Sequence, residues 1–229
     1  MASPDDRPDR RYRRRRQRLV DQLRERGIDN ERVLEAMGAV PRHEFVAPAF
    51  TSRAYADEAL PIGMDQTISQ PFTVAYETSL LEIEPNDRIL EVGTGSGYQA
   101  AVLCEMGARV FSIERHKPLL ERSAQRLDDL GYRVRTKYGD GTDGWTAFAP
   151  YDGIVVTAAA PDVPDALLRQ LRVPNDHRGG RLVIPVGGRG GQRMTRLRRT
   201  GSGVHDYERD EFHSFRFVPL VSEGGRGEG

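Results

Sequence analysis

Three glycines at alternate positions form the stretch of this sequence best suited to binding a ligand. Gly93, Gly95 and Gly97 follow a short apolar run that ends in the acid Glu91, and a segment able to form a helix comes after them. Glycine permits tight turns, and a backbone without side chains can lie directly against a ligand. The pattern predicts a strand, a glycine-rich turn and a helix start, with these four residues binding a cofactor.

Two further acids lie where a nucleoside site needs hydrogen-bond acceptors. Glu114 ends the next predicted strand, and an acid there can accept hydrogen bonds from both hydroxyls of a ribose. Asp140 and Gly141 follow the third predicted strand, where the carboxylate can accept from an adenine amino group while the glycine backbone approaches the ring. Because the carboxyl ends of parallel strands share one edge of a sheet, these residues predict a bound nucleoside.

The spacing of the glycines discriminates between nucleoside cofactors. A dinucleotide site carries G-x-G-x-x-G, but here Tyr98 occupies the position of the last glycine, and the third glycine comes one residue earlier. The sequence has no G-x-x-x-x-G-K-[ST] loop for ATP, and the glycine loop contains no lysine or arginine to neutralise phosphates. The loop resembles that of class I methyltransferases, which implies S-adenosyl-L-methionine (SAM) as the co-substrate.

Alternating strand and helix patterns surround these residues. Strands are predicted at 88–92, 109–113, 133–137, 152–157 and 181–186, with two more near 193–199 and 211–219, and helices at 97–107, 117–130 and 163–171. This order predicts an α/β fold with a doubly wound, mostly parallel sheet and helices on both faces. We expect N-terminal helices and an active-site segment at 1–84, a SAM-binding core at 85–200, and a final strand with a frayed tail at 201–229.

The N-terminal segment combines helical patterns with a long irregular stretch. The predicted order is a disordered start at 1–9, a surface helix from Arg10 to Gly27, a helix capped by Asp29 or Asn30 that runs to Met37, irregular chain at 45–71 and a helix at 72–83. A long irregular segment inside a compact chain is often functional. We therefore expect residues 45–71 to contribute to the site.

The overall composition argues against several classes of partner. The 229 residues carry 34 basic and 34 acidic side chains, so no net positive charge favours nucleic acid or membranes. No apolar run approaches the ~18 residues of a membrane span, and the N-terminus lacks an apolar signal core. No pair among the five histidines has metal-ligand spacing, and the single cysteine, Cys104, is expected to be a small buried side chain. We expect a cytoplasmic monomer without a metal site.

Several blocks, most of them outside the glycine loop, are similar to one family. They are Val40–Arg42, Tyr55–Gly63, Gln66–Pro71, and the stretches 91–103, 151–161, 179–187 and 216–220. Over residues 17–221 the chain resembles the protein-L-isoaspartate O-methyltransferases, and the block that ends at Pro71 is the specific part. The resemblance implies methyl transfer from SAM to the carboxylate of L-isoaspartyl residues in damaged proteins, whose ester then collapses to a succinimide and initiates repair.

The resemblance also implies which residues act on the substrate. The acceptor carboxylate is already ionised at neutral pH, so the transfer needs no general base. A hydroxyl that donates a hydrogen bond to this carboxylate would orient it for an in-line displacement. The family match gives Ser69 as the catalytic residue, and it gives as substrate-binding residues Gln66, Thr67, Ile68, Gln70 and Val218.

Two other functions are compatible with the sequence. The basic run Arg10–Arg18 is most simply a solvated helix face, but it would also suit a class I methyltransferase for RNA or a small molecule. Asp65 stands where the family usually has a glycine, just before Gln66, and its charge could repel a carboxylate substrate. That departure would suit a SAM-binding protein without catalytic activity.

Overall fold

The computed structural model describes residues 6–175, 178–188, 191–203 and 205–220. The helices are α1 (Asp6–Glu25), α2 (Glu31–Ala39), α3 (Pro71–Leu81), α4 (Tyr98–Glu105), α5 (Lys117–Asp129) and α6 (Asp165–Arg169). The strands are β1 (Leu60–Gly63), β2 (Gln66–Ile68), β3 (Arg88–Val92), β4 (Arg109–Glu114), β5 (Val134–Tyr138), β6 (Gly153–Val156), β7 (Arg181–Gly188), β8 (Gly191–Arg199) and β9 (Tyr207–Phe215). Short 3-10 turns cover Arg42–Phe45, Pro48–Arg53 and Thr146–Phe148.

One sheet of seven strands forms the centre of the molecule, in the order β5-β4-β3-β6-β7-β8-β9. The pairs from β5 to β7 are parallel, and β8 and β9 add antiparallel strands at one side. Ile89 of β3 packs with side chains of α1 to α5, whereas Leu90 and Val92 pack with α6 on the opposite face. The predicted doubly wound, mostly parallel α/β fold is confirmed, and one face carries most of the helices.

The final strand differs from its predicted position near 211–219. β9 pairs with β8 from Tyr207 opposite Arg199 to Phe215 opposite Gln192, so the antiparallel register moves the strand towards the N-terminus. The chain after β9 then crosses to the end of β6, where Ala159 N–H donates to the Val218 carbonyl at 2.8 Å. This crossing carries Val218 to the edge of the sheet that holds the glycine loop.

The segment predicted to be irregular contains an antiparallel hairpin, β1–β2. Leu60 pairs with Ile68, and Gly63 pairs with Gln66 at the end of the hairpin. The two turn residues, Met64 and Asp65, have φ values of 55° and 56°. Left-handed geometry at both positions matches the twist of a two-residue hairpin turn.

The N-terminal segment begins its helix earlier than predicted. α1 includes residues 6–9, so the prediction of disorder over 1–9 is wrong for these four, while 1–5 and the predicted frayed tail at 223–229 lie outside the described residues. Asn30 caps α2, because its side chain accepts a hydrogen bond from Val33 N–H at 3.2 Å. In the part of the chain described, no helix is long and apolar enough to cross a membrane.

Candidate active site

A cavity of about 440 Å³ opens at the carboxyl ends of β3, β4 and β6. Its wall combines the glycine loop after β3, the end of β4, Gly141, the end of β6 and, from outside the core, the β1–β2 hairpin and residues 218–220. Ligands of open α/β sheets bind at this edge, where the crossovers diverge to the two sides of a central strand. The predicted residues in the wall are Gly93, Gly95, Glu114, Gly141, Gln66, Thr67, Ile68, Ser69 and Val218.

Two glycines in the wall leave no space for a side chain. Gly93 has a φ of 102°, and a Cβ placed on it would lie 2.4 Å from Thr157 Oγ1. A Cβ on Gly141 would lie 2.3 Å from Val92 Cγ1. Thr157 is itself held in place, since its hydroxyl donates to the Gly93 carbonyl at 2.9 Å. These contacts leave bare backbone facing the cavity, as the glycine pattern predicts.

Glu114 ties the glycine loop to the end of β4. Its Oε2 accepts a hydrogen bond from Gly95 N–H and its Oε1 accepts from His116 N–H, each at 2.8 Å. Only 4% of this residue is exposed, yet it lines the cavity. An ionised carboxylate has about four acceptor sites, so each oxygen can accept a further hydrogen bond from a ligand.

Glu91 lies behind the glycine loop rather than in the cavity wall. It is fully buried and accepts a hydrogen bond from the hydroxyl of Ser112, which also bonds to Thr94 at 2.6 Å. Burial raises the pKa of Glu91 to about 8, an effect that the hydrogen bond from Ser112 opposes in part. The geometry therefore gives Glu91 contact with the strand and the loop, and no direct access to a ligand in the cavity.

Gly97 and Asp140 are also outside the wall. Gly97 has a φ of 88° at the start of α4, and a Cβ there would lie 3.2 Å from Leu127 of α5. Asp140 Oδ1 accepts hydrogen bonds from the backbone and the hydroxyl of Thr142 at 2.9 and 2.7 Å. Both residues shape the loops that border the cavity, and their direct contact with a cofactor stays a prediction.

A second cavity of about 1020 Å³ adjoins the first, between the hairpin, α3 and the segment after β9. Gln70 lines this second cavity only, whereas Gln66 and Ile68 line only the first. Four residues line both cavities: Thr67, Ser69, Thr157 and Val218. The predicted catalytic serine therefore lies where the two cavities meet.

Asp57 contacts three residues in the wall of the second cavity, although its position in the sequence pattern does not predict these contacts. Its Oδ1 accepts from Phe72 N–H at 2.8 Å in the first turn of α3, and its Oδ2 accepts from Gln70 Nε2 at 3.0 Å. It also forms an ion pair with Arg26. Asp57 belongs to the Tyr55–Gly63 block of the family resemblance, which is the only sequence signal that marks it.

The chemistry of the wall qualifies the argument against phosphate ligands. Arg115 and His116, directly after Glu114, line the first cavity, so a basic residue is present although the glycine loop contains none.

Among the described residues, no group of three histidine, cysteine or acidic side chains is arranged to hold a metal. Burial raises the pKa of the Cys104 thiol to about 12, and this half-buried side chain on α4 is a neutral thiol.

Comparison with known proteins agrees with this geometry. The family model described as Protein-L-isoaspartate(D-aspartate) O-methyltransferase matches residues 14–225. The Protein-L-isoaspartate O-methyltransferase of Salinibacter ruber is 71% identical over 229 residues, covering 99% of both chains. The protein of the same name from Cytophaga hutchinsonii is 50% identical over 210 residues, with 92% of both chains covered.

Comparison of the fold with solved structures identifies the same family. A solved structure of a protein-L-isoaspartate O-methyltransferase superposes with a TM-score of 0.78 at 26% identity, covering 90% of this chain and 66% of the other. The matches confirm the predicted resemblance, and with it SAM as the co-substrate and the isoaspartyl carboxylate as the methyl acceptor. The chain belongs to the protein-L-isoaspartate O-methyltransferase family.

Proposed function

We propose that methyl transfer takes place at the junction of the two cavities, with SAM in the first and the isoaspartyl segment in the second. The observation that supports this arrangement is that Ser69 and Thr67 line both cavities. A donor and an acceptor bound on either side of these hydroxyls would approach each other there. Holding both reactants in line accounts for most of the catalysis that such a displacement needs.

The residues of the first cavity suit SAM. We propose that Glu114 accepts hydrogen bonds from the ribose hydroxyls, while the backbones of Gly93, Gly95 and Gly141 lie against the nucleoside. The cradles at Gly93 and Gly141, which a Cβ would fill, support this assignment. When bound, SAM supplies an electrophilic methyl group on a sulfonium.

The three predicted cofactor residues outside the wall have supporting roles in this proposal. Glu91 and the Ser112 hydroxyl hold the loop from behind, and Gly97 lets α4 start close to α5. Asp140 holds the turn that presents Gly141, through its two hydrogen bonds with Thr142. Each of them affects SAM affinity through the shape of a loop.

The residues of the second cavity suit an anionic peptide segment. Arg216 lies in its wall and its positive charge favours a carboxylate, whereas the charge of Arg26, also in the wall, is paired with Asp57. We propose that the Ser69 hydroxyl donates a hydrogen bond to the acceptor carboxylate and that Gln70, Thr67 and Val218 contact the peptide. Gln66 and Ile68 keep the hairpin over the junction, which helps to exclude water from the carboxylate.

We also propose that the protein acts in the cytoplasm as a monomer without nucleic-acid partners. Its balance of 34 basic and 34 acidic residues supports the absence of nucleic-acid partners. In this proposal residues 1–84 form the part of the enzyme that binds the methyl acceptor, and residues 85–200 form the SAM-binding core. Residues 201–229 contain the strand that completes the sheet and the segment that brings Val218 to the junction.

A peptide assay tests the proposed reaction. Labelled methyl-SAM and an isoaspartyl peptide are expected to give a base-labile methyl ester, and the matched aspartyl peptide is expected to give none. Equal labelling of both peptides, or of neither, would contradict the proposal. A single burst of ester is enough to exclude a protein that only binds SAM.

The role of Ser69 is tested by Ser69→Ala. Loss of one hydrogen bond to a charged group costs about 1.5–3 kcal/mol, so kcat is expected to fall by about 10- to 150-fold with little change in SAM affinity. Ser79→Ala is the matched control, because the Ser79 hydroxyl donates to the Ala75 carbonyl within α3 and lines neither cavity. Equal kcat in the two variants would remove Ser69 from the mechanism.

A further inference from the structure

Arg42 carries a guanidinium that is completely buried, with an exposed fraction of 0%. Its Nε donates to the Ala54 carbonyl at 2.9 Å, and its Nη2 donates to the carbonyls of Ser69 and Glu58 at 2.8 and 3.4 Å. Within the described part of the chain, Nη1 has no hydrogen-bond partner and no carboxylate pairs with the group. Backbone carbonyls thus provide most of the compensation for this charge.

The same guanidinium contacts the donor side of the site. It lies over the ring of Tyr98, 4.6 Å from the centroid. Tyr98 is the first residue of α4, directly after the glycine loop, and its hydroxyl donates to Met37 Sδ at 3.6 Å. Ser69 and Tyr98 both line the first cavity. Arg42 therefore bridges the backbone of the acceptor serine and the helix that follows the donor loop.

Stability alone does not account for an arginine at this position. Burying a charge is costly, and apolar residues of similar volume often replace buried charges without loss of stability. What arginine adds is a planar, rigid fork of donors that a lysine cannot reproduce. Here Nε donates to the Ala54 carbonyl while Nη2 joins Glu58, just before the hairpin, to Ser69, just after it. This arrangement fixes both ends of the hairpin against one side chain.

We propose that Arg42 is a positioning residue for methyl transfer, whose guanidinium sets the place of Ser69 relative to the glycine loop. This inference rests on the proposed function of Ser69. A displacement of about 1 Å can lower an enzymatic rate by about 100-fold. Arg42→Lys keeps a positive charge and loses the fork, and it is expected to lower kcat by about 10- to 100-fold while the dissociation constant of SAM changes by less than about threefold.

Arg32→Lys provides the control for lost hydrogen bonds between an arginine and backbone carbonyls, at a more exposed position. Arg32 also donates to two backbone carbonyls, those of Ile83 and Met106 at 2.6 and 3.0 Å, and it lines neither cavity. This variant is expected to lower the melting temperature and to leave kcat unchanged. A general effect of weakening hydrogen bonds between an arginine and backbone carbonyls would instead lower kcat in both variants, and that result would overturn the inference.

A double-mutant cycle separates positioning from a structural role. If Arg42 acts through Ser69, Arg42→Lys lowers kcat strongly in the wild-type background and by less than about threefold in the Ser69→Ala background. An equal decrease in both backgrounds would overturn the inference while leaving the proposed reaction intact.

A readout that needs no turnover keeps the two proposals distinguishable. Amide hydrogen exchange at residues 66–70 is expected to become faster in Arg42→Lys and to stay unchanged in Arg32→Lys. Failure of the wild-type protein to form a base-labile ester would reject the proposed reaction. Unchanged exchange at 66–70 would reject the anchoring of Ser69 by Arg42, whatever the activity.

Discussion

Gly93 is a residue at which backbone geometry and close approach can be tested separately. Its φ of 102° is strained for any other residue, and a Cβ would meet Thr157 Oγ1 at 2.4 Å. Gly131 has a similar φ of 81° but nothing lies within 4 Å of its hypothetical Cβ. A substituted side chain at either glycine would therefore be strained by the left-handed backbone, but only the one at Gly93 would also clash with a neighbouring residue.

Gly93→Ala is expected to weaken SAM binding by more than about tenfold, because the added methyl group must displace Thr157 from the cavity edge. Gly131→Ala is expected to cost about 1–2 kcal/mol of unfolding free energy without any change in SAM affinity. Calorimetric titration with SAM and urea denaturation measure the two quantities. Equal SAM affinity in Gly93→Ala and the wild type would show that the loop does not contact the ligand as proposed.

Glu91 and Glu77 form a buried acidic environment behind the glycine loop. Both are fully buried, and burial raises the pKa of Glu77 well above its ordinary value, as the charge of Glu91 also does. The pKa of Glu91 rises to about 8, so the folded protein retains a proton that the unfolded chain releases above its ordinary value of 4.5. Stability linked to Glu91 is therefore fully present at low pH and is lost as pH rises from about 4.5 to about 8.

Glu91→Gln is expected to flatten the dependence of unfolding free energy on pH over this range. One retained proton makes the unfolding free energy change by up to about 1.4 kcal/mol per pH unit, and glutamine abolishes this contribution because it does not titrate. Glu121→Gln is the control, since that acid lies exposed on α5 beside Lys117. Urea denaturation between pH 5 and about 8 measures the slope, and a slope in Glu91→Gln equal to that of the wild type would contradict the raised pKa.

The β1–β2 hairpin explains the departure at Asp65. Asp65 has a φ of 56° and is exposed at the turn, where glycine adopts the same geometry without strain. Aspartate is among the few other residues that tolerate this region, because its short polar side chain bonds to nearby backbone. The substitution is thus compatible with the same turn, and the exposed carboxylate is screened by solvent and salt.

Asp65→Asn and Asp65→Val separate charge from backbone geometry. Asparagine keeps the tolerance for left-handed geometry, so KM for an isoaspartyl peptide is expected to change by less than about threefold. Valine is expected to lower the unfolding free energy by about 1–2 kcal/mol and to reduce kcat, because the hairpin next to Ser69 shifts. Peptide methylation kinetics and urea denaturation give both values. A large fall in KM in Asp65→Asn would show that the carboxylate repels the substrate.

The core strands and the hairpin differ in how well sequence periodicity predicts them. β6 is a short run in which Ile154, Val155 and Val156 are completely buried, and such apolar runs are typical of parallel strands. β1 and β2 have four and three residues and include Pro61 and Gly63, which leaves no period to detect. Their pairing is decided by packing over the cavity and by the turn at Asp65.

The site follows the same division between local pattern and long-range packing. Gly93, Gly95 and Glu114 are predictable, because strand ends of a parallel sheet meet at one edge. The contacts of Asp57 with α3 and of Arg42 with Ser69 join segments that are far apart in the chain, and no local spacing encodes them. Resemblance to the family marks the blocks that contain these residues, and the fold alone shows what they contact.

In the whole molecule, the basic run Arg10–Arg18 on α1 lies away from both cavities. Tyr12 stacks on His43 with ring centroids 3.8 Å apart, and Arg15 donates to the Ser52 carbonyl at 3.1 Å. The buried side chains of α1, such as Leu19 and Leu23, come later in the helix. Among the residues that the structure describes, the earliest in either cavity wall is Arg26. The basic run therefore contributes to helix docking and contacts neither cavity.

Removal of residues 1–16 is expected to lower the melting temperature by a few degrees and to leave kcat on an isoaspartyl peptide within about threefold of the full chain. The aromatic stack is worth about 0.5–1.5 kcal/mol, and a loss of 1 kcal/mol shifts the melting temperature by about 2–4 °C in a chain of this size. Tyr12→Ala in the full chain is the control, because it removes the stack and keeps the arginines. A truncated protein that remains folded but loses turnover, while Tyr12→Ala retains it, would instead assign the arginines a role in binding the peptide substrate.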